Sequence, residues 1–161
     1  MRIHAPFLTL RKAVPGDAEQ LLMLVKELAE YEKEPGAVRT QADDFREGLV
    51  NGLFEALVLE SPADGIVGMA LYFPYFSTWS GKALYLEDFI IREPLRGHGY
   101  GQRLFEAVAD EALRQGARWV KWQVLDWNEP ARRFYLSRGA KLTTGWENGS
   151  IEICVADAPV D

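Results

Sequence analysis

The chain has 161 residues, and at about 100–200 residues per domain this leaves room for one domain and excludes two full ones. With 48% apolar and 12% aromatic residues it carries material for a core, which excludes a disordered chain. Its 24 Asp and Glu outnumber 18 Lys and Arg for a net charge of −6, and this argues against nucleic acid as the main partner.

The single Cys, Cys154, allows no internal disulfide, which fits a reducing, cytoplasmic setting. The longest apolar stretch, Gly65 to Phe76, is too short to cross a bilayer, and Arg2, His4 and Pro6 interrupt any signal-peptide core. A soluble protein without a membrane partner is expected. Two His and no Cys/His cluster give no metal-ligating pattern, and Cys154, without a nearby activating group, reads as inert.

In chain order, Phe7–Leu10 predicts a short strand. Pro15 with Asp17 and Glu19 predicts a helix start, and Leu21, Leu24, Val25 and Leu28 give residues 16–34 one apolar face. Thr40 is the expected cap of a second helix carrying Phe45, Leu49 and Val50, which Gly52 closes. Apolar runs over Phe54–Leu59, Ile66–Phe76 and Ala83–Ile91, separated by turn compositions, predict an antiparallel meander. Gln102–Gln115 reads as a helix ended by Gly116, and Trp119–Leu125 as a strand. Asn128 would cap a helix running to Arg138, with Gly139 as its C-cap. Two last strands are expected at about Lys141–Thr144 and Ser150–Val155.

The chemistry concentrates after the third run. There Arg96-Gly97-His98-Gly99-Tyr100-Gly101 turns a strand into a helix. Glycines admit positive φ and close approach of a ligand, and the first amides of the helix point outward with a positive dipole behind them. Arg96 adds a charge-assisted donor, so the expected ligand is a phosphate or pyrophosphate. Gln102 stands where a dinucleotide fingerprint needs its third glycine, and no Gly-Lys-Ser/Thr follows, which excludes a P-loop. A glycine-rich turn that binds nothing shares the same local pattern.

These residues match the Arg/Gln-x-x-Gly-x-Gly/Ala acetyl-coenzyme A signature, and the chain resembles the GNAT superfamily of N-acetyltransferases. Leu84-Tyr85-Leu86-Glu87-Asp88-Phe89, Trp127-Asn128-Glu129-Pro130, Phe134-Tyr135 and the stretch Lys26–Ala29 with Tyr31-Glu32 are similar to the diamine (spermidine/spermine) and thialysine acetyltransferase branch. The likeness spans about residues 8–155 of a single domain, 1–161. It implies an α/β (α+β) fold: a mixed, mostly antiparallel sheet of about seven strands flanked by about four helices and splayed between strands 4 and 5. It also implies acetyl-CoA as co-substrate, a small-molecule primary amine as acceptor, and a homodimer. Two rivals remain: a non-catalytic acyl-CoA-binding regulatory module, and an acetyltransferase for protein lysines or N-termini.

Acetyl transfer to an amine that is protonated at neutral pH needs a base, and the departing thiolate needs a proton. Strict alternation would put Glu87 on one face with Tyr85 and Phe89, and Asp88 on the other with Leu86 and Ile90. Either acid could have its pKa raised by apolar neighbours or simply face water. The resemblance implies Glu87 as base and Tyr135 as proton donor, a residue that could equally be an ordinary core tyrosine. It further implies coenzyme contacts from Phe89, Ile91, Arg96, Gly97, His98, Gly99, Tyr100, Gly101, Asn128 and Arg133, and amine contacts from Tyr31, Glu32, Trp79, Glu87 and Asp88. Glu27, Glu30, Glu32 and Glu34 near the end of the first helix oppose its dipole, and read either as a solvated face or as an acidic wall for a cationic amine. Where polyamine enzymes carry an aspartate, this chain reads Tyr75-Phe76-Ser77-Thr78, which leaves smaller or zwitterionic amines open.

Overall fold

The computed structural model describes residues 7–153, and the apolar patterns read from the sequence become elements with shifted ends. Among those residues are five strands, β1 (Thr9–Lys12), β2 (Glu55–Ser61), β3 (Gly65–Ser77), β4 (Gly81–Ile91) and β5 (Trp119–Lys121). The helices are α1 (Ala18–Tyr31), α2 (Ala42–Val50), α3 (Tyr100–Arg114) and α4 (Glu129–Leu136). Two compact units are distinguished, Met1–Gln123 and Val124–Asp161.

In the first unit the strands lie in the order β1-β2-β3-β4-β5. The first four pair antiparallel as a meander, and β5 returns parallel to β4 after the α3 crossover. The β4–β5 ladder covers only Ala83–Tyr85, while β4 continues to Ile91. The sheet therefore has five strands where seven are expected. The predicted Trp119–Leu125 strand stops at Lys121.

Each sheet face carries one core. On one face Leu57, Leu59, Tyr72, Leu84 and Leu86 pack with Leu104, Val108 and Ala112 of α3. On the other Val58, Ile66, Met69, Leu71 and Ile90 pack with Leu21 and Leu24 of α1 and Phe45 of α2. Leu21 and Leu24 are fully buried. Side chains of this size contribute about 1.5–3 kcal/mol each on burial, so the apolar stripe fixes which side of α1 meets the sheet. Asp17 ties the start of α1 to β1, accepting from Arg11 at 2.8 and 3.0 Å and from the Val14 amide at 2.8 Å. Past Tyr31 the helix ends where Lys33 takes a φ of +64°. Helix α2 is capped one residue later than expected, at Gln41, whose amide donates to Asp44 Oδ2 at 2.7 Å.

In the second unit Asn128 caps α4 as expected, its side chain accepting from the Ala131 amide at 3.3 Å. Gly139, at φ +82°, follows the helix end, and its amide donates to the Leu136 carbonyl at 3.0 Å. The strand expected at Lys141–Thr144 is absent, and residues 150–153 of the last expected strand are irregular as well. Alternation makes a strand only where a neighbour supplies ladder hydrogen bonds, and here Ile151 and Ile153 stand exposed. Cys154 and the end of that strand lie outside the described residues.

Candidate active site

A β-bulge in β4 organises the candidate site. The β3–β4 register runs Tyr72↔Leu86 and then Leu71↔Asp88, so Glu87 is the extra residue. One inserted residue exchanges the faces beyond it. Leu84 and Leu86 belong to the α3-side core, as do Phe89 and Ile91, whereas Ile90 joins the α1-side core with Leu71, the partner of Asp88. This corrects the strict alternation expected from sequence: Phe89 shares the face of Leu86, and Ile90 does not. Glu87 and Asp88 do not part to opposite surroundings either. Asp88 has its pKa pushed up to about 6, first by burial and then by the charges of Glu87 and Glu32. Glu32, just past the end of α1, is itself raised by burial. Asp88 thus feels the charges of both Glu87 and Glu32, and Glu87 is the exposed one of the three.

Aromatic rings continue the surface toward the start of β4. Phe73 stacks on Tyr85 with centroids 5.4 Å apart, and Tyr75 lies 5.9 Å from Tyr85. The Tyr85 hydroxyl is raised by burial, then by the charge of Glu87. Trp79 occupies the β3–β4 turn and is 89% exposed, at the opposite end of β4 from the glycine loop.

Beyond Ile91 a short turn, Glu93–Leu95, leads into the glycines. Gly97 and Gly99 have φ of +80° and +85°, and a Cβ at either would meet no protein atom within 4 Å. The loop therefore needs glycine conformations and opens onto free space. Gly99 stands just ahead of α3, whose first amides have no intrahelical acceptor; the Arg103 amide is the one that returns to the Gly99 carbonyl, at 3.1 Å. His98 folds back on the loop, its Nδ1 2.9 Å from the Arg96 carbonyl and 3.3 Å from that of Leu95. Both partners are acceptors, so Nδ1 carries the proton. Tyr100 and Gly101 open α3.

Arg96 donates from Nε to the Ile91 carbonyl at 2.7 Å, and its guanidinium lies 5.3 Å from the centre of the Tyr31 ring. Both residues line a cleft of about 370 Å³ together with Glu27, Glu30, Ile90 and Glu93. Glu27 is held by Arg92 at 2.8 Å. Two of the acids read as a wall or a solvated face therefore line a cavity. The Arg92–Glu27 pair was not foreseen, because nothing in the spacing links positions so distant in sequence.

In the second unit Tyr135 is buried on α4 beside Phe134, their rings 5.4 Å apart. Asn128 heads the same helix, and Arg133 lies exposed along it. No group of three or more His, Cys, Asp or Glu among the described residues could hold a metal ion, and no helix there is long and apolar enough to cross a membrane.

Residues 20–140 match the model of the acetyltransferase (GNAT) family. The chain is 37% identical over 158 residues to thialysine N-epsilon-acetyltransferase of Sus scrofa, covering 89% of this chain and 91% of the relative. It is 34% identical over 142 residues to the spermidine/spermine N(1)-acetyltransferase-like protein 1 of Homo sapiens, covering 83% of this chain and 20% of that one. Among solved structures it is similar to an aminoglycoside acetyltransferase from an uncultured soil metagenomic sample, with a TM-score of 0.77 at 17% identity, covering 91% and 97% of the two chains. Sheet, glycine loop and these relatives agree: the chain belongs to the GNAT family and is an N-acetyltransferase with thialysine and polyamine acetyltransferase homologues.

Proposed function

We propose that the protein is a single-domain, cytoplasmic, homodimeric enzyme that moves an acetyl group from acetyl-CoA to a primary amine of a small molecule by direct attack. The observation that carries this reading is the loop Arg96–Gly101. Its two left-handed glycines open onto free space at the head of α3, which suits the pyrophosphate of a coenzyme. Gly97, Gly99 and Gly101 would hold it through the backbone, with Arg96, His98 and Tyr100 around them. Phe89 and Ile91 would flank the arm where β4 runs on past its ladder with β5, the place where the sheet would splay. Asn128 and Arg133, in the second unit, are the further coenzyme contacts that the family resemblance implies. Bound there, acetyl-CoA supplies a thioester carbonyl carbon that gains the C–N bond and loses the C–S bond.

The chain's own residues move the protons. The amine reaches the acids as an ammonium ion, drawn by Glu32, Glu87 and Asp88, with Tyr31 and Trp79 along its approach. Glu87 takes a proton from nitrogen before attack, directly or through water. A specific observation favours a second assignment, Asp88, because this is the carboxylate that burial tunes to about 6, close to the working range of a base. Tyr135 returns a proton to the thiolate.

Thiol release from acetyl-CoA across a panel of amines tests the reading. Turnover is expected with thialysine, diamines or polyamines; release with none of them, or with protein lysines alone, would overturn it.

A further inference from the structure

The β4–β5 ladder places Lys121 directly across from Tyr85. The Lys121 ammonium lies 5.8 Å from the centre of the Tyr75 ring, which packs on Tyr85. Tyr85 in turn feels the charge of Glu87. A floor of Tyr75, Phe73 and Tyr85 thus runs from one cation to Glu87. Several cations of this acidic chain meet acids: Arg11 pairs with Asp17 and Glu60, Lys12 with Glu55 and Glu111, and Arg92 with Glu27. Half-buried Lys121 pairs with no carboxylate among the described residues, and its neighbour is a ring face.

We propose that Lys121 anchors a carboxylate on the acceptor, so that the acceptor is an amino acid whose side-chain amine is acetylated. The inference rests on the acetyl-transfer reading and adds the acceptor's second charge to it. Strands lie about 4.8 Å apart and rise about 3.3 Å per residue, which sets Lys121 and Glu87 about 8 Å apart, Cα to Cα. An extended basic amino acid would lie between the two side chains, its carboxylate toward Lys121 and its side-chain nitrogen toward Glu87. A cation at one end and acids at the other complement its two ends. A diamine or polyamine would instead bring a second ammonium against Lys121, in a hairpin whose Tyr75-Phe76-Ser77-Thr78 offers no acid to receive it.

The test pairs thialysine with its decarboxylated counterpart, bis(aminoethyl) sulfide, in wild type, Lys121→Met and Lys121→Arg. Methionine keeps the apolar stem and removes the charge. The ratio of kcat/KM for thialysine to that for the diamine should fall about ten- to hundredfold in Lys121→Met, the range for a lost charge-assisted hydrogen bond, with the change in the KM of thialysine. Lys121→Arg should recover the ratio to within a few-fold. Calorimetric titration of thialysine should show the same loss without turnover, and Lys121→Gln serves if the methionine variant does not fold. A ratio within threefold of wild type in the uncharged variant, with both acceptors slowed alike, would mean a structural lysine and overturn the proposal. Wild-type turnover of the diamine with thialysine no better would overturn it too, leaving acetyl transfer standing. No thiol release with either acceptor would sink both.

Discussion

Glu87 and Asp88 are neighbours in sequence that differ in burial, and their roles separate by pH. If Glu87 is the base, Glu87→Gln should remove the ascending acid limb of the kcat/KM profile while Asp88→Asn keeps it. If Asp88 is the base, the reverse should hold, and the limb should lie near pH 6. Asp88 also has a signature in stability. Its folded pKa is raised from 3.8 to about 6, so the folded state favours the protonated form; that advantage is complete below pH 3.8 and lost as pH rises through 6. Asp88→Asn should therefore gain up to about 3 kcal/mol above pH 7, at 1.36 kcal/mol per pKa unit, and little at pH 4. Denaturant unfolding at the two pH values measures it. Tyr135→Phe keeps the ring and removes the hydroxyl. In stopped-flow thiol release kcat should fall by about 10²–10⁴ with stability nearly unchanged, and a fall of less than tenfold would remove Tyr135 as proton donor. The loop and the acids of the candidate site were legible because they form contiguous motifs. Lys121 was not, since a lone lysine in a short strand carries no pattern.

At the scale of elements, apolar periodicity fixed α1, α3 and the meander to within a few residues, because burial on one face leaves a period that survives in sequence. Shared faces were harder to read. The bulge at Glu87 has no glycine or proline to announce it, so alternation misplaced Phe89 and Ile90. The strands at 141–144 and 150–155 were drawn from local pattern alone, yet a strand exists only by its partner. Close packing behind β4 offers a test of how rigidly it is held. A Cβ on Gly68 would lie 2.8 Å from Ile91 Cδ1 and 3.2 Å from the Ile90 carbonyl. Gly68→Ala should cost about 1–3 kcal/mol in urea unfolding. By displacing the end of β4 it should also raise the KM for acetyl-CoA, whereas an unchanged midpoint would show that β4 yields freely.

For the whole molecule, stability in acid depends on a junction that joins α3 to the first two strands. Glu111 on α3 accepts from Arg114, from Gln115 at 2.7 Å and from Lys12 at 3.2 Å, while Lys12 also reaches Glu55 at 2.7 Å. Arg114 first, then Gln115 and Lys12, lower the Glu111 pKa to about 2 against the opposing effect of burial. The sign is the opposite of that for Asp88: stability is present above pH 4.5 and lost as pH falls toward 2. Glu111→Gln should flatten the pH dependence between 4.5 and 2 by about 2 kcal/mol, discounted for the exposed Arg114. Exposed Trp146, Ile151 and Ile153 support the homodimer in our proposal. Sedimentation should give twice the chain mass, and Ile151→Asp with Ile153→Asp should shift it toward one.

The bulge also sets a reading frame for everything after it. Because Glu87 adds one residue to the strand, it adds a half-period of rotation, and the chain enters the glycine loop in the opposite phase from an unbroken strand. Deleting Glu87 would restore continuous alternation, turning Phe89 and Ile91 from the α3 face and Ile90 toward it. Substitution there costs one side chain's chemistry, whereas deletion turns the entrance to α3 by half a period. The aim of the loop is thus encoded in a count of residues, and it would survive replacement of any single side chain in β4 more readily than the loss of one position.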